Sequence, residues 1–105
     1  MANQDVLQEV MEVILDRKKN PVEGSYTNYL FDRGMDKILK KIGEETAEVI
    51  IAGKNEGKGE ATFEICDLLY HVMVLMAEKN IEWQEIYDEL ASRHVKKQLE
   101  RKYKS

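Results

Sequence analysis

Apolar side chains recur at three- and four-residue steps along most of this chain, and no segment sustains the two-residue alternation of a strand. The first such pattern covers about Asp5 to Lys19, with Val6, Val10, Val13 and Leu7, Met11, Ile14 in step. Asn20-Pro21 stops it, and Val22-Glu23-Gly24 reads as a loop. Ser25 is placed to cap a short helix carrying Tyr26, Tyr29, Leu30 and Phe31, ending near Gly34. A second long helix is predicted from about Met35 to Lys54, and Asn55-Glu56-Gly57-Lys58-Gly59 forms the clearest turn. The third long helix runs from about Glu60 to Lys79, with Asn80 as its stop. The fourth starts near Glu82, carries Trp83, Ile86, Tyr87 and Leu90, and continues toward the C-terminus. The expected fold is an all-α bundle of about four main helices, one domain over residues 1–105.

The pattern breaks in two places. At roughly 100° per residue, Ile38, Ile42 and Val49 share one face of the second long helix, and Glu45 lies at its centre. Glu48 and Lys41 flank Glu45 within about 60°, and Glu44 projects further round. The third long helix is apolar nearly all round: Ile65, Cys66, Leu68, Leu69, Tyr70, Val72, Met73, Leu75, Met76 and Ala77 cover most of it. Such a helix needs burial on nearly every side, more than a monomer of this size supplies, so an oligomer is expected. Met73 and Met76 read as core or dimer interface, and Trp83, Tyr87 and Leu90 as the packing face of the last helix. One polar strip about 60° wide remains on the third helix, formed by Glu60, Glu64, Asp67, His71 and Glu78.

Two helices therefore point carboxylates inward. Unpaired, these groups would be expensive to bury. A cation among Glu45, Glu48, Glu64 and Asp67 resolves the problem, and an all-oxygen donor set suits Mg²⁺, with Mn²⁺ as the alternative, over zinc. A single acidic pair at i, i+3 is common on solvated helix faces; two pairs on otherwise apolar faces are not. A di-iron bundle needs Glu-x-x-His on two helices, and His71 falls four residues after Asp67.

Composition narrows the setting. The chain has 105 residues, 43% hydrophobic and 34% charged, with one cysteine. That is a globular composition without room for a second full core. The lone Cys66 forms no internal disulfide and no multi-thiolate site. No apolar run is long enough for a membrane span, and Met1-Ala2-Asn3-Gln4-Asp5 lacks the features of a secretory signal, so a cytoplasmic protein is expected. Residues 93–105 form a basic helix end or tail of local charge +5, which leaves −9 on the rest of a chain of net charge −4. An acidic body disfavours nucleic acid, and an anionic partner would need a bridging cation.

The motifs resemble a known family. Asp16-Arg17-Lys18, Glu23-Gly24-Ser25-Tyr26-Thr27, Leu30 ahead of Gly34, Lys37 to Glu45 with Glu48-Val49, Asp67-Leu68-Leu69-Tyr70-His71, and Glu89-Leu90 before Arg93 resemble the phosphoribosyl-ATP diphosphatases of histidine biosynthesis. The parent group resembled is the all-α nucleoside-triphosphate pyrophosphohydrolases, which include MazG-type enzymes and dimeric dUTPases. Its signature reads here as Glu44-Glu45-x-x-Glu48, fifteen residues, then Glu64-x-x-Asp67. Cys66 stands where the family usually has a small residue, and reads as a packing variant.

The resemblance implies hydrolysis of phosphoribosyl-ATP to phosphoribosyl-AMP and pyrophosphate. It implies that Glu45, Glu48, Glu64 and Asp67 hold the metal, while Glu44 orients water as a base or steadies a ligand. Lys41 would touch a phosphate; the alternative is a surface lysine with its stem on apolar neighbours. Ser25, Tyr26 and Thr27 would lie near the substrate, with Tyr26 either stacking on a base or packing in the core. His71 would orient Asp67 or meet substrate, against the alternative of a satisfied core histidine. Arg17 and Arg93 would reach phosphates from a neighbouring subunit, against the alternative of surface ion pairs. The expected assembly is a homodimer, with a dimer of dimers as the alternative. The family also occurs fused to a phosphoribosyl-AMP cyclohydrolase, so association with a separate cyclohydrolase is expected. Two competing readings remain: a house-cleaning hydrolase of noncanonical nucleotides, and a helical interaction protein without catalysis.

Overall fold

The structure is a computed structural model and describes residues 6–94. Five helices follow one another: α1 (Val6–Lys19), α2 (Tyr26–Arg33), α3 (Met35–Gly53), α4 (Gly59–Lys79) and α5 (Trp83–Ser92). No strand occurs among the described residues, and the all-α expectation holds. The expected ends of α3 and α4 match within a residue. Residue 5 and the basic tail beyond residue 94 lie outside the described residues.

Local chemistry sets the helix ends. The Ser25 hydroxyl accepts from the Asn28 N–H at 3.2 Å and caps α2, as its position suggested. Gly34 takes φ +89°, a conformation that L side chains rarely adopt, and turns the chain from α2 into α3 without a loop. Asn80 takes the left-handed conformation at the end of α4. Its N–H donates to the Ala77 carbonyl at 3.3 Å, and the Ile81 N–H reaches the Met76 carbonyl at 2.8 Å. This pair of bonds satisfies two otherwise orphaned carbonyls. Glu82 and Glu85 form a reciprocal capping box at the start of α5.

The α3–α4 pair forms the backbone of the fold, and α1 and α2 pack across it. Met11, Ile14, Leu30, Ile38, Met73, Val74, Met76 and Ala77 make up the buried cluster. Met73 and Met76 are thus core residues. The last helix departs from expectation. Trp83 packs and donates its indole N–H to the Leu7 carbonyl at 3.3 Å, and Ile86 joins the core edge. Tyr87 and Leu90 remain 49% and 57% exposed, and among the described residues no other element covers them fully.

Candidate functional site

Helix α3 presents Glu45 on its core face, between Ile42 and Val49, and the carboxylate is buried there. Helix α4 presents Glu64 and Asp67 opposite. Each of the three residues offers a carboxylate oxygen, and these oxygens lie within 4.8 Å of one another. Mg²⁺ binds oxygens at about 2.0–2.1 Å, so its opposed ligands stand roughly 4 Å apart; small side-chain rotations would close the trio around it. The donor set and spacing fit a hard divalent cation.

Charge in this group is poorly balanced from the protein's own side chains. Desolvation lifts the Glu64 carboxyl above its ordinary range, and the charges of Glu48, Asp67, Glu45 and Glu60 push it further. Glu48 is exposed and stands outside the three-oxygen group, yet is near enough to act on Glu64. Lys41 is the cation at the edge. Its Nζ lies 3.2 Å from Glu44 Oε1 and 3.5 Å from Glu45 Oε2. The hydrogen bond from Lys41, with the charges of Lys41, Lys40 and Lys37, holds the Glu44 carboxyl below the usual range. The Glu44 bond in turn raises Lys41. Glu44 is therefore held ionised beside its lysine, and is a weaker base for it.

His71 lies buried one turn after Asp67. Its Nδ1 stands 2.7 Å from the Asp67 carbonyl, which can only accept, so Nδ1 carries the proton. In the neutral ring Nε2 is then an acceptor, and Tyr26 Oη donates to it across 2.9 Å. His71 thus holds the backbone of Asp67 and not its carboxylate. Burial is the first cause that raises the Tyr26 phenol above its ordinary value, with Lys41 opposing it and Glu45 adding to it. Thr27 shares a hydrogen bond with the Tyr70 hydroxyl, which joins the start of α2 to α4. Burial raises the Tyr70 phenol as well.

The other expected contacts are occupied locally. Ser25 uses its acceptor as a helix cap. Arg17 pairs with Asp16 at 3.2 Å, and Arg93 with Glu89 at 3.0 Å. Neither arginine pairs with the acidic group. Asn28, which the sequence pattern did not single out, is buried and bridges the end of α1 to α2. An amide one turn before Phe31 and beside Tyr29 and Leu30 was the available signal. Cys66 is exposed, so nothing in the described chain packs over it. A depression of about 390 Å³ between α1 and α5, walled by Met11, Leu15, Trp83 and Tyr87, contains none of the expected site residues.

Residues 7–94 match the family model for phosphoribosyl-ATP pyrophosphohydrolase. The chain is 60% identical over 87 residues to the histidine biosynthesis bifunctional protein HisIE of Thermoanaerobacter pseudethanolicus, covering 83% of this chain and 40% of that one. It is 55% identical over 96 residues to the phosphoribosyl-ATP pyrophosphatase of Clostridium novyi, covering 91% and 87%. The like-named protein of Limosilactobacillus fermentum is 54% identical over 87 residues, covering 83% and 82%. The chain thus spans less than half of the bifunctional relatives and most of the shorter ones.

Proposed function

The chain belongs to the phosphoribosyl-ATP pyrophosphohydrolase family, and from that membership we propose that it hydrolyses phosphoribosyl-ATP to phosphoribosyl-AMP and pyrophosphate in histidine biosynthesis. The observation that carries this reading is the grouping of the Glu45, Glu64 and Asp67 carboxylates between α3 and α4. These three residues would hold Mg²⁺, or Mn²⁺ in its place, with Glu48 at the edge as the fourth ligand. A cation held there would supply neutralisation of the phosphate oxygens and a more acidic water for the attack.

The remaining roles fall to the chain's own side chains. Lys41 exchanges its contacts with Glu44 and Glu45 for a phosphate oxygen, which places positive charge where the anhydride breaks. Glu44, ionised and freed by that exchange, orients the water through a hydrogen bond. Tyr26, fixed by His71, and Thr27, fixed by Tyr70, wall the substrate side of the site. Ser25 contributes by holding that wall's helix in place. Arg17 and Arg93 contribute only by reaching a neighbouring protomer's site. The working form is a homodimer in the cytoplasm, and fusion in the bifunctional relatives supports association with a cyclohydrolase.

The test is pyrophosphate release from phosphoribosyl-ATP with Mg²⁺, run beside dUTP and with a Glu45→Gln variant. Selective turnover that falls at least about a hundredfold in the variant is expected, the loss of a contact of several kcal/mol. Turnover of dUTP alone would move the chain to the house-cleaning hydrolases. Folded protein silent on every nucleotide would leave a non-catalytic helical protein.

A further inference from the structure

Apart from Asp36 in its first turn, the charges on α3 are ordered against the preference of an isolated helix. Lys37, Lys40 and Lys41 precede Glu44, Glu45 and Glu48. Acids placed before lysines at i, i+4 are the better order, and a cation in the first turn opposes the helix dipole. Lys37, Lys40, Lys41, Glu44 and Glu48 share an arc of about 100°, so the helix carries one polar strip, cationic at its start and acidic at its end. Local stability does not account for that order, and breaches of local rules concentrate where a site is built.

The cationic end has its own surroundings. Arg33, Asp36, Lys37 and Lys40 line a shallow depression of about 230 Å³. Lys37 and Lys40 make no ion pair among the described residues, and Asp36 is the one acid of the lining. Arg33 and Lys37 both lie over the Tyr29 ring, at 5.5 and 5.9 Å from its centroid. The guanidinium also donates to the Tyr29 hydroxyl at 3.1 Å. Tyr29 stacks on Tyr26 at 6.0 Å, and Tyr26 meets His71, one turn beyond Asp67. A run of rings thus leads from the cationic end to the backbone of Asp67 beside the acidic group.

We propose that Arg33, Lys37 and Lys40 form a second phosphate site, which takes the phosphate monoester at the end of the substrate remote from the scissile anhydride. This rests on the substrate reading above. Phosphoribosyl-ATP carries a triphosphate on one ribose and a monophosphate on another, with the purine between them. Its two anionic ends need two separate solutions: a cation-bridged acidic group for one and bare side-chain cations for the other. Lys37 stands eight residues before Glu45, about 12 Å along the helix axis. The Tyr26–Tyr29 ring pair lies between. A nucleoside triphosphate without the second phosphate leaves this site empty, so the site also serves selectivity.

The test is a Lys37→Gln/Lys40→Gln double variant assayed on phosphoribosyl-ATP, with ribose 5-phosphate and pyrophosphate as inhibitors. Circular dichroism and Mn²⁺ affinity report on the fold and the acidic group. KM should rise about tenfold, with kcat changing less, as expected for loss of charge-assisted contacts. Inhibition by ribose 5-phosphate should weaken by a similar factor while pyrophosphate inhibition and Mn²⁺ affinity hold. A Lys37→Arg/Lys40→Arg variant should keep the wild-type KM, and the wild-type KM should rise with ionic strength. An unchanged KM in the folded glutamine variant overturns the proposal. So does a loss of pyrophosphate inhibition alone, which would make the strip a leaving-group site. A wild-type protein inactive on phosphoribosyl-ATP overturns the substrate reading itself, and this proposal with it.

Discussion

Asn28 commits its polar groups to the backbone around it. Its amide donates to the Arg17 carbonyl at 2.7 Å, its oxygen accepts from the Val22 N–H at 2.8 Å, and its own N–H meets Ser25. One side chain thus ties the end of α1, the loop and the start of α2, and α2 carries Tyr26 and Thr27. Asn28→Ala leaves two backbone groups without their partner and should lower the unfolding free energy in urea by about 2 kcal/mol. An Asn28→Ala chain as stable as wild type would mean that water replaces both bonds. Asn28 was hard to read because its partners lie six and eleven residues back along the chain. Glu45 was legible for the opposite reason: its position on an apolar stripe is a local fact. His71 fell in between. Its place on the strip was readable, whereas its hold on the Asp67 carbonyl depends on ring orientation.

At the scale of elements, α3 shows how a helix can be built for chemistry at the expense of packing. Glu45 occupies a position where Ile38, Ile42, Val49 and Ala52 define an apolar face, and its compensation among the described residues is a single contact to Lys41 at 3.5 Å. A Glu45→Leu variant keeps the shape and removes the desolvated charge. Such replacements are often neutral or stabilising. The metal-free variant should therefore gain about 1 kcal/mol in thermal or urea unfolding, and should lose the stabilisation that Mn²⁺ gives the wild type. A variant that is clearly less stable would mean that Glu45 serves the fold. Helix limits were legible because glycine, asparagine and serine act on the nearest turn, as Gly34, Asn80 and Ser25 do. The exposure of Tyr87 and Leu90 was not, since a helical stripe reveals which side is apolar and not what covers it.

The same distinction governs the whole molecule. Helix α4 is apolar nearly all round, and its C-terminal half lies in the core through Met73, Val74, Met76 and Ala77. Its N-terminal half faces α3 with its acidic side and leaves apolar side chains exposed: Phe63 is 66% exposed and Ile65 51%, while Ile51 at the end of α3 is 62% exposed. Scattered apolar residues need no explanation, but several large ones at one end of a helical pair mark an interaction surface. A second copy of the chain is the occupant that the homodimer proposal requires. Phe63 adjoins Glu64, so that interface would border the acidic group and bring a neighbour's side chains to it. Analytical ultracentrifugation of the wild type should then give a dimer or a dimer of dimers. Burying one phenylalanine contributes about 1.5–3 kcal/mol, and a symmetric interface buries it twice. Phe63→Glu should accordingly raise the dissociation constant at least about a hundredfold. Activity should fall with the dimer population as the variant is diluted, while helix content by circular dichroism stays constant. A wild type that sediments as a monomer at assay concentration and still turns over would remove the partner from the site, and Arg17 and Arg93 from any part in it.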